Sequence, residues 1–322
     1  MGFGRGKGFS PVPPPAPPAG ITPWTFNSIE PQLRNAGGVD EWKTVSLAHC
    51  IPVGATGAII HLVNTDPGED RKVGLRKPGD THIQQGRMYR ASHTWGIVGV
   101  DAALNFEFFA DGPLAPVDIW IMGWTGPNVH FLDTSVEYNP PNLAWTDLDC
   151  SPHAPGALAA IWDISHQGYA WRSYAIRKKG STDNHYADIG HNWPIIGLDA
   201  TQKCQGYFES LTVTRLRAFL TGYITAGVKM RTNAPDVSPA ILNSWEDYVL
   251  PLANTTVRWG IFEMTSPQVF YYWGGRKNHS KRSIHPGSSR HEWAFVHCDG
   301  GKKVELYRQD NTVKIYQVGA VA

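Results

Sequence analysis

A histidine stands two residues ahead of a tryptophan three times along the chain: His93 and Trp95, His191 and Trp193, His291 and Trp293. Each time an aspartate follows six residues after the tryptophan, at Asp101, Asp199 and Asp299. Each time an Arg-Lys pair lies upstream, headed by Arg76, Arg177 and Arg276. An indole face stacks on a sugar ring, and His and Arg hydrogen-bond its hydroxyls. The set therefore suits three copies of a glycan pocket. The same residues suit a framework: Trp filling a core with its N–H bonded, Asp ending a turn, His bonding a carbonyl, Arg-Lys heading a loop. The framework reading is preferred, because residues that define a repeated unit hold its fold first.

Other chemistry is thinly supplied. One His per repeat, with no second ligand at metal spacing on the same strand, does not make a zinc site. No GxSxG elbow, HExxH pair or phosphate-binding Gly loop occurs. Glu107, Glu209 and Glu305 fall on strands read as equivalent, and they read as solvent-facing positions rather than three glycosidase acids. The chain is therefore expected to be no enzyme and to carry no cofactor or metal. The stretch Arg276 to His291, with Arg276, Lys277, His279, Lys281, Arg282, His285, Arg290 and His291, reads as a solvated basic loop or one that meets an acidic neighbour.

The landmarks keep step along the chain. The Trp spacings are 98 and 100 and the Arg spacings 101 and 99. A leading tryptophan recurs at Trp42, Trp145 and Trp245, and a strand-borne glycine at Gly123, Gly222 and Gly319. A period near 100 residues is too long for a solenoid unit and fits a small domain. The expected division is an extended arm over 1–38 and modules over 39–126, 142–226 and 242–322, joined by proline-bearing linkers. Short runs such as Gly57–Val63, Trp95–Val100 and Val117–Ile121 are rich in β-branched and aromatic residues and are separated by turns. They predict an all-β chain of three tandem β-sandwich modules, jelly-roll or immunoglobulin-like. Three alike sandwiches in one chain could cluster around a pseudo-threefold axis and mimic a trimer.

The N-terminus is different in kind. Residues 1 to about 23 are rich in Gly and Pro, which favours an extended polyproline-like arm over helix or central strand. Its Phe3, Arg5, Lys7, Phe9, Pro13, Pro14 and Pro15 are the expected partner-binding residues. No apolar core of a signal peptide is present, so folding in a cytoplasm is expected. With 29 Lys+Arg against 28 Asp+Glu the net charge is +1, which argues against coating nucleic acid. No apolar run approaches the length that spans a bilayer. The four cysteines, Cys50, Cys150, Cys204 and Cys298, lie far apart and read as reduced core residues.

The repeat resembles one found in virion proteins of tailed bacteriophages: an Arg-Lys-x-Gly-Ser/Thr loop, then His-x-Trp, Gly-x-Asp and a closing Gly-Tyr. The second repeat matches most fully, through Arg177-Lys178-Lys179-Gly180-Ser181-Thr182, His191, Trp193, Gly197, Asp199 and Gly222-Tyr223. The first departs at Pro78 and Trp124, and the third at His279 and His297. The resemblance implies a non-enzymatic part of a virion, such as a capsid decoration, a fibre or a tail-attached appendage. The arm would bind capsid, portal or tail, and the protein would be a homo-oligomer in the particle. Because the third module closes on its last strand, head decoration or tail-shell attachment is favoured over a receptor fibre. The alternative is an adhesin whose repeated modules bind host-surface glycan.

Overall fold

The computed structural model describes residues 25–34, 40–112, 117–141, 143–166, 173–185, 187–188, 190–209, 216–251, 257–268, 271–277 and 290–322. The arm residues Phe3 to Pro15 lie outside them, as do His279, Lys281, Arg282 and His285 of the basic stretch. The described residues are all-β, without helix, in antiparallel sheets.

The first repeat holds β1 (Phe26–Arg34), β2 (Glu41–Ser46), β3 (Gly57–Asn64), β4 (Arg71–Arg76), β5 (Gly86–Met88), β6 (His93–Gly99), β7 (Asn105–Ala110) and β8 (Val117–Thr125). They form two sheets, ordered β1-β8-β3-β6 and β2-β7-β4-β5. The second repeat holds β9 (Val129–Tyr138), β10 (Thr146–Asp149), β11 (Ala159–His166), β12 (Ser173–Lys178), β13 (Ala187–Asp188), β14 (His191–Asn192), β15 (Ile195–Gly197), β16 (Lys203–Phe208) and β17 (Leu216–Ile224). Its orders are β9-β17-β11-β14, with β15 also on β11, and β10-β16-β12-β13. Pro194 divides β14 from β15 because it has no N–H to give the ladder. The third repeat holds β18 (Val228–Met230), β19 (Trp245–Val249), β20 (Trp259–Thr265), β21 (Trp273–Lys277), β22 (His291–His297), β23 (Lys303–Arg308) and β24 (Lys314–Val321). Its orders, β18-β24-β20-β22 and β19-β23-β21, repeat the pattern.

Three stretches differ from their sequence reading. Part of the expected arm is β1, and the two expected linkers contain β9 and β18. Each is an edge strand on the closing strand of its own repeat. Pro31 sits where the β1 register slips between Ser28 and Gln32, and β9 slips opposite Leu220 and Gly222. A proline is tolerated at such an edge bulge, and the bulge breaks the alternation that marks a strand. The same edge strands explain the recurring glycine. A Cβ on Gly222 would stand 2.6 Å from the His130 carbonyl oxygen, and one on Gly123 would be driven into that of Asn27.

Asp101, Asp199 and Asp299 each close a hairpin, as the framework reading expects. Each accepts two backbone N–H groups at 2.8–2.9 Å, from Ala103 and Asn105, Thr201 and Lys203, Gly301 and Lys303. The last loop residue is left-handed each time: Leu104, Gln202 and Lys302, with φ of 61°, 60° and 61°. This is a three-residue loop, a tight turn followed by one left-handed position.

Burial separates the strands into two kinds. β16, β23 and β24 alternate, with one face in the core and one toward solvent. β3, β6, β11, β20 and β22 are buried on nearly every residue. A strand is buried on both faces only when something covers its outer side. Here the cover is the other repeats: β6, β14 and β22 touch one another pairwise. The buried apolar side chains of all three repeats form one continuous cluster.

Candidate functional site

The three His-x-Trp strands meet at the centre of the molecule, and the contacts between repeats run in one rotational sense. After two of the histidines the next residue reaches the following repeat: Thr94 Oγ1 donates to the His191 carbonyl at 3.2 Å, and Asn192 Nδ2 to the His291 carbonyl at 2.8 Å. The histidine rings reach the opposite neighbour. His191 Nδ1 donates to the Val73 carbonyl at 2.9 Å, His291 stacks on Tyr174 at 4.6 Å, and His93 lies 5.8 Å from Trp273. Val73, Tyr174 and Trp273 each stand three residues before the landmark arginine of their repeat. The second repeat thus leans on the first, the third on the second and the first on the third, and the ring closes.

Within its own repeat each histidine meets the fifth residue of the long central strand. His93 Nδ1 lies 2.6 Å from His61 Nε2, His191 Nε2 lies 2.8 Å from Asp163 Oδ1, and His291 Nε2 lies 2.7 Å from Glu263 Oε1. All six side chains are buried. His185, from the second repeat, adds a bond to Glu263 at 2.9 Å and stacks on Tyr316. Burial pushes the Glu263 carboxyl up, but the His185 and His291 bonds outweigh it and leave it below the usual range. Burial pushes the Asp163 carboxyl up, and His191 only partly offsets that. Burial and the neighbouring His93 hold His61 well below the usual histidine range. The first repeat therefore has a buried histidine pair where the other two have a histidine and an acid.

No protein-family model matches the sequence, and no curated protein matches it.

The structure separates residues that the glycan reading would bring together. His93, Trp95, His191, Trp193, His291 and Trp293 are at most 5 % exposed, so none lines an open groove. The arginines stack instead on the leading tryptophans: Arg76 on Trp42 at 4.0 Å, Arg177 on Trp145 at 3.7 Å, Arg276 on Trp245 at 4.2 Å. Arg76 and Arg276 also pair with Glu107 at 2.5 Å and Glu305 at 2.7 Å. The counterpart of those acids is Gln205, opposite Arg177 in the register, and not Glu209. Glu209 instead accepts the Ser173 N–H, as Asp111 accepts that of Lys72. Of the described ends of the basic stretch, Arg276 is paired and His291 is buried. All four cysteines are free and buried. Among the described residues no group of three metal-ligating side chains gathers.

Tyr174 ties one of these contacts together. Its hydroxyl accepts from Trp293 Nε1 at 3.2 Å and from Asn192 Nδ2 at 3.1 Å, so one oxygen joins the third repeat to the second. Tyr174→Phe leaves the buried indole N–H without this acceptor. It should lower the unfolding free energy by about 1–3 kcal/mol in urea titration.

Proposed function

We propose that the chain is a non-enzymatic structural protein of a tailed-phage particle. It is built as three tandem jelly-roll modules closed into a single-chain trimer and is held to capsid, portal or tail by its N-terminal arm. The observation that carries this reading is the ring closure, through Val73, Tyr174 and Trp273 against His191, His291 and His93. A body with three alike faces about one axis suits a threefold position in a symmetric shell. In each sheet early strands neighbour late ones, which is the jelly-roll order, a common build for capsid domains; that step is fold-level analogy. The resemblance of the Arg-Lys, His-x-Trp and Gly-x-Asp pattern to tailed-phage virion proteins points the same way. The adhesin reading loses support because the His and Trp rings it would use are buried.

Two measurements test the proposal. Mass spectrometry of gradient-purified particles should find the chain at stoichiometric level; its absence there refutes the reading. Deleting residues 1–23 should abolish incorporation while the remaining protein keeps its melting temperature. Undiminished incorporation would refute the anchor.

A further inference from the structure

The three junctions between repeats carry the same landmarks but different charge. At the junction of the first and second repeats every landmark cation has an acid: Arg76 pairs with Glu107, and Lys77 with Asp133 of β9 at 2.6 Å. The Lys77 stem lies against Gly99, as the Lys178 stem lies against Gly197. Lys178 is thus the Lys77 of the next junction.

There the acids are missing. Phe131, Met230 and Ser28 stand opposite Gly222, Gly319 and Gly123, which aligns the edge strands. Counted from those pairs, Asp133 of β9 corresponds to Glu30 of β1 and to Thr232, just beyond β18. The Glu107 and Glu305 position is Gln205, whose Oε1 accepts from Arg177 Nε at 3.2 Å. Arg231 stands where the first junction has Leu132, so two acids are lost and one cation is gained. Arg231 Nη2 donates to Gln317 at 2.9 Å, and its buried Nε has no partner among the described residues. Among the described residues no carboxylate lies within 4 Å of the charged nitrogens of Arg177, Lys178 or Arg231.

The three cations line one cleft between the second and third repeats, of about 370 Å³ including its open mouth. Asp183 and Glu263 line it too. Glu263 is occupied by His185 and His291; Asp183 accepts the Ala234 N–H at 2.7 Å on its carboxylate and Arg177 Nη1 at 2.6 Å on its backbone carbonyl. Arg177, Lys178 and Arg231 thus face one acid not paired with histidine, Asp183, and the cleft keeps an excess of positive charge that the first junction neutralises.

We infer that this cleft is a binding site for a phosphate-type oxyanion, held by Arg177, Lys178 and Arg231. Arginine forks and a lysine ammonium are the side chains that such oxygens select. The anion supplies the charge that Asp133 and Glu107 supply at the first junction.

The test uses the full-length protein at constant ionic strength, titrated calorimetrically with inorganic phosphate and separately with glucose 6-phosphate. Saturable binding of one phosphate per chain is expected. Binding of both ligands assigns a phosphate carried on a larger molecule; binding of inorganic phosphate alone assigns the free ion. Thr232→Asp combined with Gln205→Glu installs the acids of the first junction and should weaken binding at least tenfold while the protein stays folded. Arg231→Leu, which installs the Leu132 of that junction, should do the same. No saturable heat with either ligand, or equal binding by wild type and Arg231→Leu, would overturn the inference.

Discussion

Trp193→Ala is expected to lower the unfolding free energy by about 3–5 kcal/mol, the range for removing a buried aromatic side chain without refilling its space. Trp193 is 1 % exposed and stacks on His191 at 3.9 Å. Its ring also lies over Gly96 of the first repeat, where a Cβ would be 3.5 Å from Cδ2. The substitution thus opens a void in the core of one repeat and in its junction with another. Trp145 makes the contrast, since it is only half-buried and its main partner is the Arg177 guanidinium. Trp145→Ala should cost about 1 kcal/mol beyond its smaller loss of burial. Chemical denaturation of both variants checks the pair. Equal losses would mean that the His-x-Trp strands are not the centre of the structure.

Lowering the pH from about 7 to 5 should destabilise the protein, and His61→Asp should remove a large part of that effect. His61 is held well below 6.5 by burial and by His93. The unfolded chain binds a proton there near pH 6.5, and the folded chain does not. Its contribution is therefore complete above about pH 6.5 and is lost as the pH falls toward the folded value, at about 1.4 kcal/mol per pH unit. His297, pushed down to about 4 by burial and by Lys277 and Arg258, acts with the same sign. His185 is raised because Glu263 outweighs its burial, and its contribution is already complete below pH 6.5. Asp163 and Glu263 hold acids where His61 stands, so His61→Asp gives the first repeat the pair the second already has. Melting temperatures of wild type and variant across pH 5–8 check this. A wild-type profile flat between pH 5 and 7 would contradict the assignment of His61 as neutral.

The repeat and its strands were legible because backbone demands fix residue types. Asp101, Asp199 and Asp299 each close a hairpin, and Gly123, Gly222 and Gly319 each let an edge strand approach. The partners of the histidines were not legible. His61, Asp163 and Glu263 keep a spacing of 102 and 100, but the site asks only for a group that hydrogen-bonds imidazole, so the type changes between repeats. Val73, Tyr174 and Trp273 were hidden for a similar reason: they meet the histidines through a carbonyl, a stacked phenol and an indole. From sequence Glu209 reads as the counterpart of Glu107 because an acid also stands four residues past each strand position, at Asp111 and Glu209, and only the register distinguishes Gln205 as the counterpart of Glu107. The edge strands β1, β9 and β18 were hidden by bulges and by one-sided pairing, which relax the demand for alternating apolar residues.

Covalent linkage of the three repeats has a consequence for how the ring responds to dilution. A true homotrimer comes apart as its concentration falls, because association costs each free subunit its translational entropy. Here the repeats are links of one chain, and each sees its neighbours at a fixed effective concentration set by a short connection. Thr125 ends β8 and Val129 begins β9; Ile224 ends β17 and Val228 begins β18. A ring tethered that tightly keeps its closed arrangement at a single copy per cell, and its melting temperature should not move with protein concentration.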